Sequence, residues 1–262
     1  MDRIEQHIES IPTLESSRMK LFSVLQEEES SIETIEQVIS SDPAMAAKVI
    51  KLANSSFYRH ADRHVGIAQA LRTIGLDMVK IIALSMAVME AFGNQTPSMK
   101  RLWSHSYAVA FIAGLMGSSK AEKECLFTGG LLHDLGRMVL ICKTPDQYLP
   151  LCEFSGTWPD LALESDVFAV DHTKIGEMIA RRWHFPPEVI SLIRHHHEPV
   201  SHATALVHLT DQVVMQQEKG LITDDFEQDS RIRNYLGDDY KELVNTIRQR
   251  YRTNESVFEN LG

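Results

Sequence analysis

GGLLHDLGRMVL, residues 129–140, reads as a helix buried on most faces, yet it sets a histidine beside an aspartate, His133-Asp134, at its middle. Two polar groups amid Leu131, Leu132 and Leu135 cost on the order of 2–7 kcal/mol if nothing satisfies them. An ion is one such partner, and a hydrogen-bonded network is another. Neighbours on a helix point about 100° apart, so the pair serves one ion only by straddling the face toward a cleft. Asp134 is also placed to bridge two ions. Gly129, Gly130 and Gly136 permit close approach by a neighbouring backbone.

Helical period dominates on both sides of this stretch, and the fold class read from it is all-α. In SDPAMAAKVIKLANSSF (41–57), Asp42 is placed as an N-cap, Pro43 as the first helical residue and Asn54 as the stop. IGLDMVKIIALSMAVMEAF (74–92) is apolar on nearly every face from Leu76 to Phe92, as expected of a helix packed on both sides and joining two halves. The polar break GNQTPS (93–98) then marks a lobe boundary. Four or five helices are expected in the second lobe. KRLWSHSYAVAFIAGLM carries His105, VDHTKIGEMIARRW carries His172, EVISLIRHHHEP ends in His195, His196 and His197, and SHATALVHLTDQVVM carries His208 and Asp211. Beyond Gly220 the chain turns strongly charged, and DDYKELVNTIRQRY (238–251) is expected as one capped, solvated helix. The division expected is 1–95 as an N-terminal helical lobe, 96–218 as the lobe carrying the histidines, and 219–262 as a charged helical extension.

Composition narrows the function classes. With 262 residues, 44% of them apolar, the chain has enough to bury one large core or two small ones. No apolar run reaches the roughly 20 residues that cross a bilayer, and MDRIEQHIESIP is charged where a signal peptide needs an apolar segment, so a cytoplasmic location without membrane contact is expected. Cys125, Cys142 and Cys152 are odd in number and widely spaced, which points to reduced thiols. A net charge of −10 repels phosphate backbones and disfavours nucleic acid as a partner.

Imidazole and carboxylate together suit divalent zinc, iron, nickel or manganese, and helical proteins build such sites from residues scattered over several helices. Each candidate also has a plain structural reading. His195 to His197 suit a helix C-terminus, where protonated imidazole meets the dipole favourably. His208 and Asp211, three apart, suit a simple side-chain pair. His7, His60, His64, His184 and His202 are read as surface or hydrogen-bonded histidines.

The order of an isolated His, His-Asp, another His, paired His and a final Asp resembles the HD superfamily of metal-dependent phosphohydrolases, with GLLHDLGR as a typical form of its motif. SDPAMAAKVIKLANSSFY and AQALRTIGLDMVKIIALS, followed by GGLLHDLGRMVL and HTKIGEMIARRWHFPPEVISLIRHHHEP, resemble more closely the HDOD group, HD-related output domains of bacterial signal transduction, over about residues 11–215. The resemblance implies a two-lobed helical HD-like fold. It also implies a signalling or scaffold module acting through a protein partner, many members having lost metal ligands.

Judged against the related HD-GYP phosphodiesterases, His105, His133, Asp134, His172, His196, His197 and Asp211 stand at metal-ligand positions, for iron, manganese, nickel, zinc or magnesium and no organic cofactor. Three departures argue against hydrolysis of cyclic di-GMP. The Gly-Tyr-Pro segment is absent, Arg137 stands where a lysine is expected, and Arg101 stands where some relatives add an acidic ligand to a third metal. The alternative function implied is an active phosphohydrolase on a phosphorylated small molecule. In it Asp134 bridges two ions and orients the nucleophile, and Arg137 holds the phosphate. Atoms sharing an ion should then lie within about 5 Å of one another.

Overall fold

In the computed structural model the described residues are 32–54, 66–75, 79, 86, 88–89, 92, 96–221 and 229–259. They are helices, turns and loops, and among them there is no strand. The all-α expectation holds. The chain falls into two compact units, one within Pro12–Gly93 and one within Asn94–Asn260.

The first unit contains α1 (Ile32–Ser40), α2 (Pro43–Ala53) and α3 (Ile67–Ile74), which pack against one another. Each turns one apolar stripe inward: Ile35 and Ile39, then Met45, Val49 and Ala53, then Ala70, Leu71 and Ile74. Asp42 caps α2 as its sequence implies, Oδ1 accepting from Met45 N at 3.1 Å, and Asn54 follows the helix's last residue. The expected helix at 76–92 lies largely outside the described residues. Of it, Val79, Met86, Val88 and Phe92 are helical and buried.

The second unit is built on α4 (Pro97–Met116), a helix capped by Thr96, whose side chain accepts from Met99 N at 3.3 Å. From Leu102 to Gly114 it is buried on almost every face. Against it packs α5 (Lys120–Leu132), closely enough that a Cβ on Gly130 would stand 2.8 Å from Ala110 Cα. The expected continuous helix at 129–140 is in fact two. It stops at Leu132, turns through His133 and Asp134 (φ −96°, ψ 20°), and restarts as α6 (Leu135–Lys143). Then come α7 (Pro145–Ser155), α8 (Leu161–Phe168), α9 (His172–Arg182), α10 (Pro187–His195) and α11 (His202–Glu218). Eight helices therefore stand where four or five were expected, because one is split and because 144–170 folds into two of its own.

Crossing of α6 and α9 fixes the ends that matter. A Cβ on Gly136 would lie 1.9 Å from the carbonyl oxygen of His172, so only glycine lets the two helix starts meet. Lys120–Lys143 is apolar and long enough, by composition, to cross a membrane, which the sequence count had not registered. In the fold 83% of its most apolar window is buried within the protein, and the turn at 133–134 divides it.

The unit closes with α12 (Ser230–Leu236), a 3-10 turn (Gly237–Asp239) and α13 (Tyr240–Glu259). The terminal helix is not solvated all round as expected. Tyr240, Val244, Ile247, Tyr251, Asn254 and Phe258 form a buried stripe, and α13 packs on α4 and α11. Phe258 meets Tyr107, Phe111 and Tyr251 with ring centroids 5.7–6.5 Å apart. The three cysteines are unbridged thiols.

Candidate metal centre

Helix ends, rather than helix interiors, deliver most of the site. The α5–α6 turn presents His133 and Asp134, the first residue of α9 is His172, and the chain leaving α10 supplies His196 and His197. His105 and Asp211 come from within α4 and α11. All seven converge, and each is buried except His197, which is half-buried. The break at 133–134 resolves the geometric difficulty of adjacent helical residues, since both side chains now point into one space.

Two groups of donors adjoin there. Asp134, His172, His196 and His197 each offer an atom within 4.8 Å of the others, and so do His105, His133 and Asp134. Asp134 belongs to both. Asp211 joins the second, its Oδ1 lying 2.9 Å from His105 Nε2 and 3.8 Å from His133 Nε2.

The ring tautomers follow from what lies behind each ring. His133 Nδ1 donates to Gly130 O (2.7 Å), His196 Nδ1 to Ile193 O (2.8 Å) and His172 Nδ1 to Glu164 Oε2 (2.5 Å). In the neutral rings this leaves the Nε2 lone pairs facing inward. Two of them meet without a proton to share: His172 Nε2 lies 3.2 Å from His196 Nε2 and 3.4 Å from Asp134 Oδ1, and His197 Nε2 stands 3.2 Å from the same His172 atom. His133 Nε2 and Asp134 Oδ1 are buried with no hydrogen-bond partner. Converging lone pairs and orphaned acceptors fit a divalent cation, and this donor set answers the cost of burying His133-Asp134.

Electrostatics match that reading. Burial, reinforced by neighbouring histidines, pushes His196 well below its ordinary value and His197 down to about 3; burial also lowers His133, against the pull of Asp134 and Asp211. These rings stay neutral and able to ligate. Burial opposes ionisation of Asp134 and Asp211, yet Arg137 and histidines beside the first, and His105 and His133 beside the second, hold both carboxyls below the usual range. His105 is different. Burial lowers its pKa, but Glu218 and Asp211 outweigh that and raise it well above 6.5, so without a metal it is an imidazolium donating to both carboxylates.

Sequence reasoning missed two carboxylates that orient the ligands. Glu164, fully buried on α8, accepts from His172 Nδ1, from His172 N (2.8 Å) and from the Tyr148 hydroxyl (2.7 Å). Glu218 accepts from His105 Nδ1 at 3.1 Å. Each fixes a ring behind a ligand atom, as outer carboxylates do for metal-bound histidines. His208 and Asp211 do not form the simple pair considered for them: Asp211 turns to His105, and His208 donates to His196 O at 2.6 Å.

Arg137 is turned inward. Its Nε stands 2.9 Å from Asp134 Oδ1 in an ion pair whose N–H is not aimed at the oxygen, and its Nη2 donates to Pro159 O at 3.2 Å. Arg137 and the exposed Arg101 both lie over the Trp158 ring, 5.9 and 5.4 Å from its centroid.

Comparison with known proteins covers residues of both units. The HDOD domain family model matches residues 11–199. The chain belongs to the HDOD family. Among solved structures, this HDOD chain is similar to an inferred phosphohydrolase from Shewanella amazonensis (TM-score 0.75, 19% identity, 98% of this chain and 96% of that one). It is also similar to an inferred signal transduction protein from Marinobacter aquaeolei (TM-score 0.71, 19% identity, 100% and 64%). At such identities the likeness shows the fold alone. An uncharacterised protein of Treponema pallidum is 26% identical over 199 residues, 74% of this chain, and the HDOD chain spans 39% of that relative's length.

Proposed function

We propose that this HDOD chain is a bacterial, cytoplasmic signal-transduction module that works through contact with a signalling protein and retains a divalent metal centre. The observation that carries the metal reading is the meeting of the unprotonated Nε2 atoms of His172 and His196 beside Asp134 Oδ1, with His197 Nε2 adjoining. His172, His196, His197 and Asp134 would hold one ion, and His105, His133, Asp134 and Asp211 a second. Five imidazoles favour a first-row transition ion over magnesium, which prefers oxygen donors. The module reading is supported by the family and by Arg137, whose guanidinium is engaged by Asp134 and Pro159 inside the protein.

A second reading, a metal-dependent phosphohydrolase of a phosphorylated small molecule, is favoured by one feature: two donor groups share a single carboxylate. Bound ions there would polarise phosphoryl oxygens and lower the pKa of water. Asp134 would orient both groups, Glu164 and Glu218 would keep His172 and His105 in their ligating tautomers, and Arg137 would hold Asp134 ionised. Cyclic di-GMP is not the substrate we propose, since the Gly-Tyr-Pro segment is absent and Arg137 replaces lysine.

Asp134→Asn separates the readings. It keeps the volume and removes the shared charge, so metal content should collapse while the fold persists. The module reading expects the folded variant to bind its partner and to complement a deletion strain. A folded, metal-free variant that fails to complement would make the hydrolase the better account.

A further inference from the structure

We infer that Asp229 and Arg231, which lie beyond the family match, form with His208 a clamp that positions the paired histidines of the metal centre; the inference rests on the metal reading above. Helix α10 ends at His195, and carbonyls at a helix C-terminus lack partners within the helix. Both carbonyls next in line are taken by residues distant in the chain. His196 O accepts from His208 Nδ1 at 2.6 Å, and His197 O accepts from Arg231 Nη1 at 2.9 Å.

The two donors stand side by side, with Asp229 between them. Asp229 grips Arg231 with a two-point fork, Nε to Oδ1 at 2.9 Å and Nη2 to Oδ2 at 2.8 Å, and caps α12 by accepting from Arg231 N at 2.9 Å. A fork of this kind fixes direction as well as distance. On the other side Gln212 Nε2 donates to His208 Nε2 at 2.8 Å, which leaves the Nδ1 proton for His196 O; Asp229 Oδ2 is 3.3 Å from the same Nε2.

Consequently the backbone carrying His196 and His197 is tied at two successive carbonyls, while their Nε2 atoms face Asp134 and His172. His197 is the less buried of the two, and its carbonyl is the one Arg231 holds. Arg231 itself is 49% exposed. An ion pair that open to solvent adds little to global stability, so its bond to the His197 carbonyl is where a specific effect should be read. Asp229 and Arg231 are positioning residues.

The test is a Mn2+ titration, by competition with a fluorescent chelator, on the full chain and on Arg231→Ala, Arg231→Lys and Asp229→Asn, with melting curves of the metal-free proteins alongside. Arg231→Ala should weaken Mn2+ binding about 10-fold, the lower end of what loss of an outer partner costs a metal site, with the metal-free melting temperature almost unmoved. Lysine, which keeps a donor for the carbonyl but loses the fork, should recover part of the affinity. Asp229→Asn keeps the carboxylate's shape, releases the grip on Arg231 and should weaken binding in the same direction, so it carries the test if Arg231→Ala does not fold. A folded Arg231→Ala protein with wild-type Mn2+ affinity overturns the clamp, as does an affinity loss matched by metal-free unfolding. A wild-type chain that takes up no Mn2+ refutes the metal reading itself, a result distinct from variants that bind as well as the wild type.

Discussion

Glutamine in place of Glu164 removes one charge from a wholly buried position and leaves the shape intact. The native carboxylate accepts three hydrogen bonds, two from His172 and one from Tyr148. An amide oxygen on the His172 side still accepts both His172 bonds, and its NH2 then meets the Tyr148 hydroxyl, which must turn from donor to acceptor, so what is lost is the charge behind those bonds. Burial opposes the carboxylate, but His172 and Arg137 more than offset it and lower the pKa from 4.5 to about 2. At about 1.4 kcal/mol per factor of ten, that depression corresponds to about 3 kcal/mol favouring the charged form in the folded state. With no solvent exposure there is no screening to discount. The group's pKa is depressed on folding, so its contribution is fully present above pH 4.5 and is lost as pH falls toward 2. Glu164→Gln should therefore cost about 3 kcal/mol at pH 7, in keeping with loss of hydrogen bonds to a charged group, and less as pH drops below 4.5. Metal affinity should fall about 10-fold, because a neutral amide behind His172 Nδ1 raises the basicity of the ring less than the carboxylate does. Urea denaturation in the presence of chelator at pH 7 and pH 4, with Mn2+ titration at pH 7, measures both. A variant within 1 kcal/mol of wild type that also binds Mn2+ equally well would refute the role given to Glu164 (a difference under about 1 kcal/mol is what an ordinary surface change produces).

Gly136→Ala should prevent the native meeting of α6 and α9, since its Cβ would fall on the His172 carbonyl oxygen; we expect loss of the cooperative melting transition, and a native-like melt would show that the helices can separate at little cost. Metal uptake should be accompanied by proton release and should strengthen as pH rises, because the imidazolium of His105 has to give up its Nε2 proton, its pKa lying above 6.5. Isothermal titration in buffers of different ionisation enthalpy reads that proton, and uptake independent of pH would contradict it.

Much of this architecture was legible in the sequence because helices signal themselves by period and by caps, as at Asp42-Pro43. That seven side chains would converge was also legible, through the order that resembles the family and through the oddity of His133-Asp134 among leucines. The break beside that pair was not. Apolar residues run on through Leu135, Met138, Val139 and Leu140 without change of period, and it is the tertiary crossing over Gly136 that ends one helix and starts the next. Glu164 carried a signal of the same kind as His133-Asp134, a charge among Leu161, Leu163 and Phe168, in a segment assigned no element. Glu218 lies seven residues after Asp211, two turns along one face, so the spacing puts both carboxylates on the same side of α11, and the fold sets that side against His105. For the terminal helix, abundant charge obscured a regular stripe from Tyr240 to Phe258, a reminder that a charged segment is still amphipathic when its apolar residues fall every third or fourth place.

Metal content decides the central claim most directly. Protein purified without chelator, analysed by inductively coupled plasma mass spectrometry and again after incubation with Mn2+, Fe2+ or Zn2+ and desalting, should carry one to two equivalents of a divalent first-row ion, the two donor groups sharing Asp134. A folded chain that retains none of these ions after either treatment would contradict the account, and the buried histidines would then have to be explained as a purely hydrogen-bonded core.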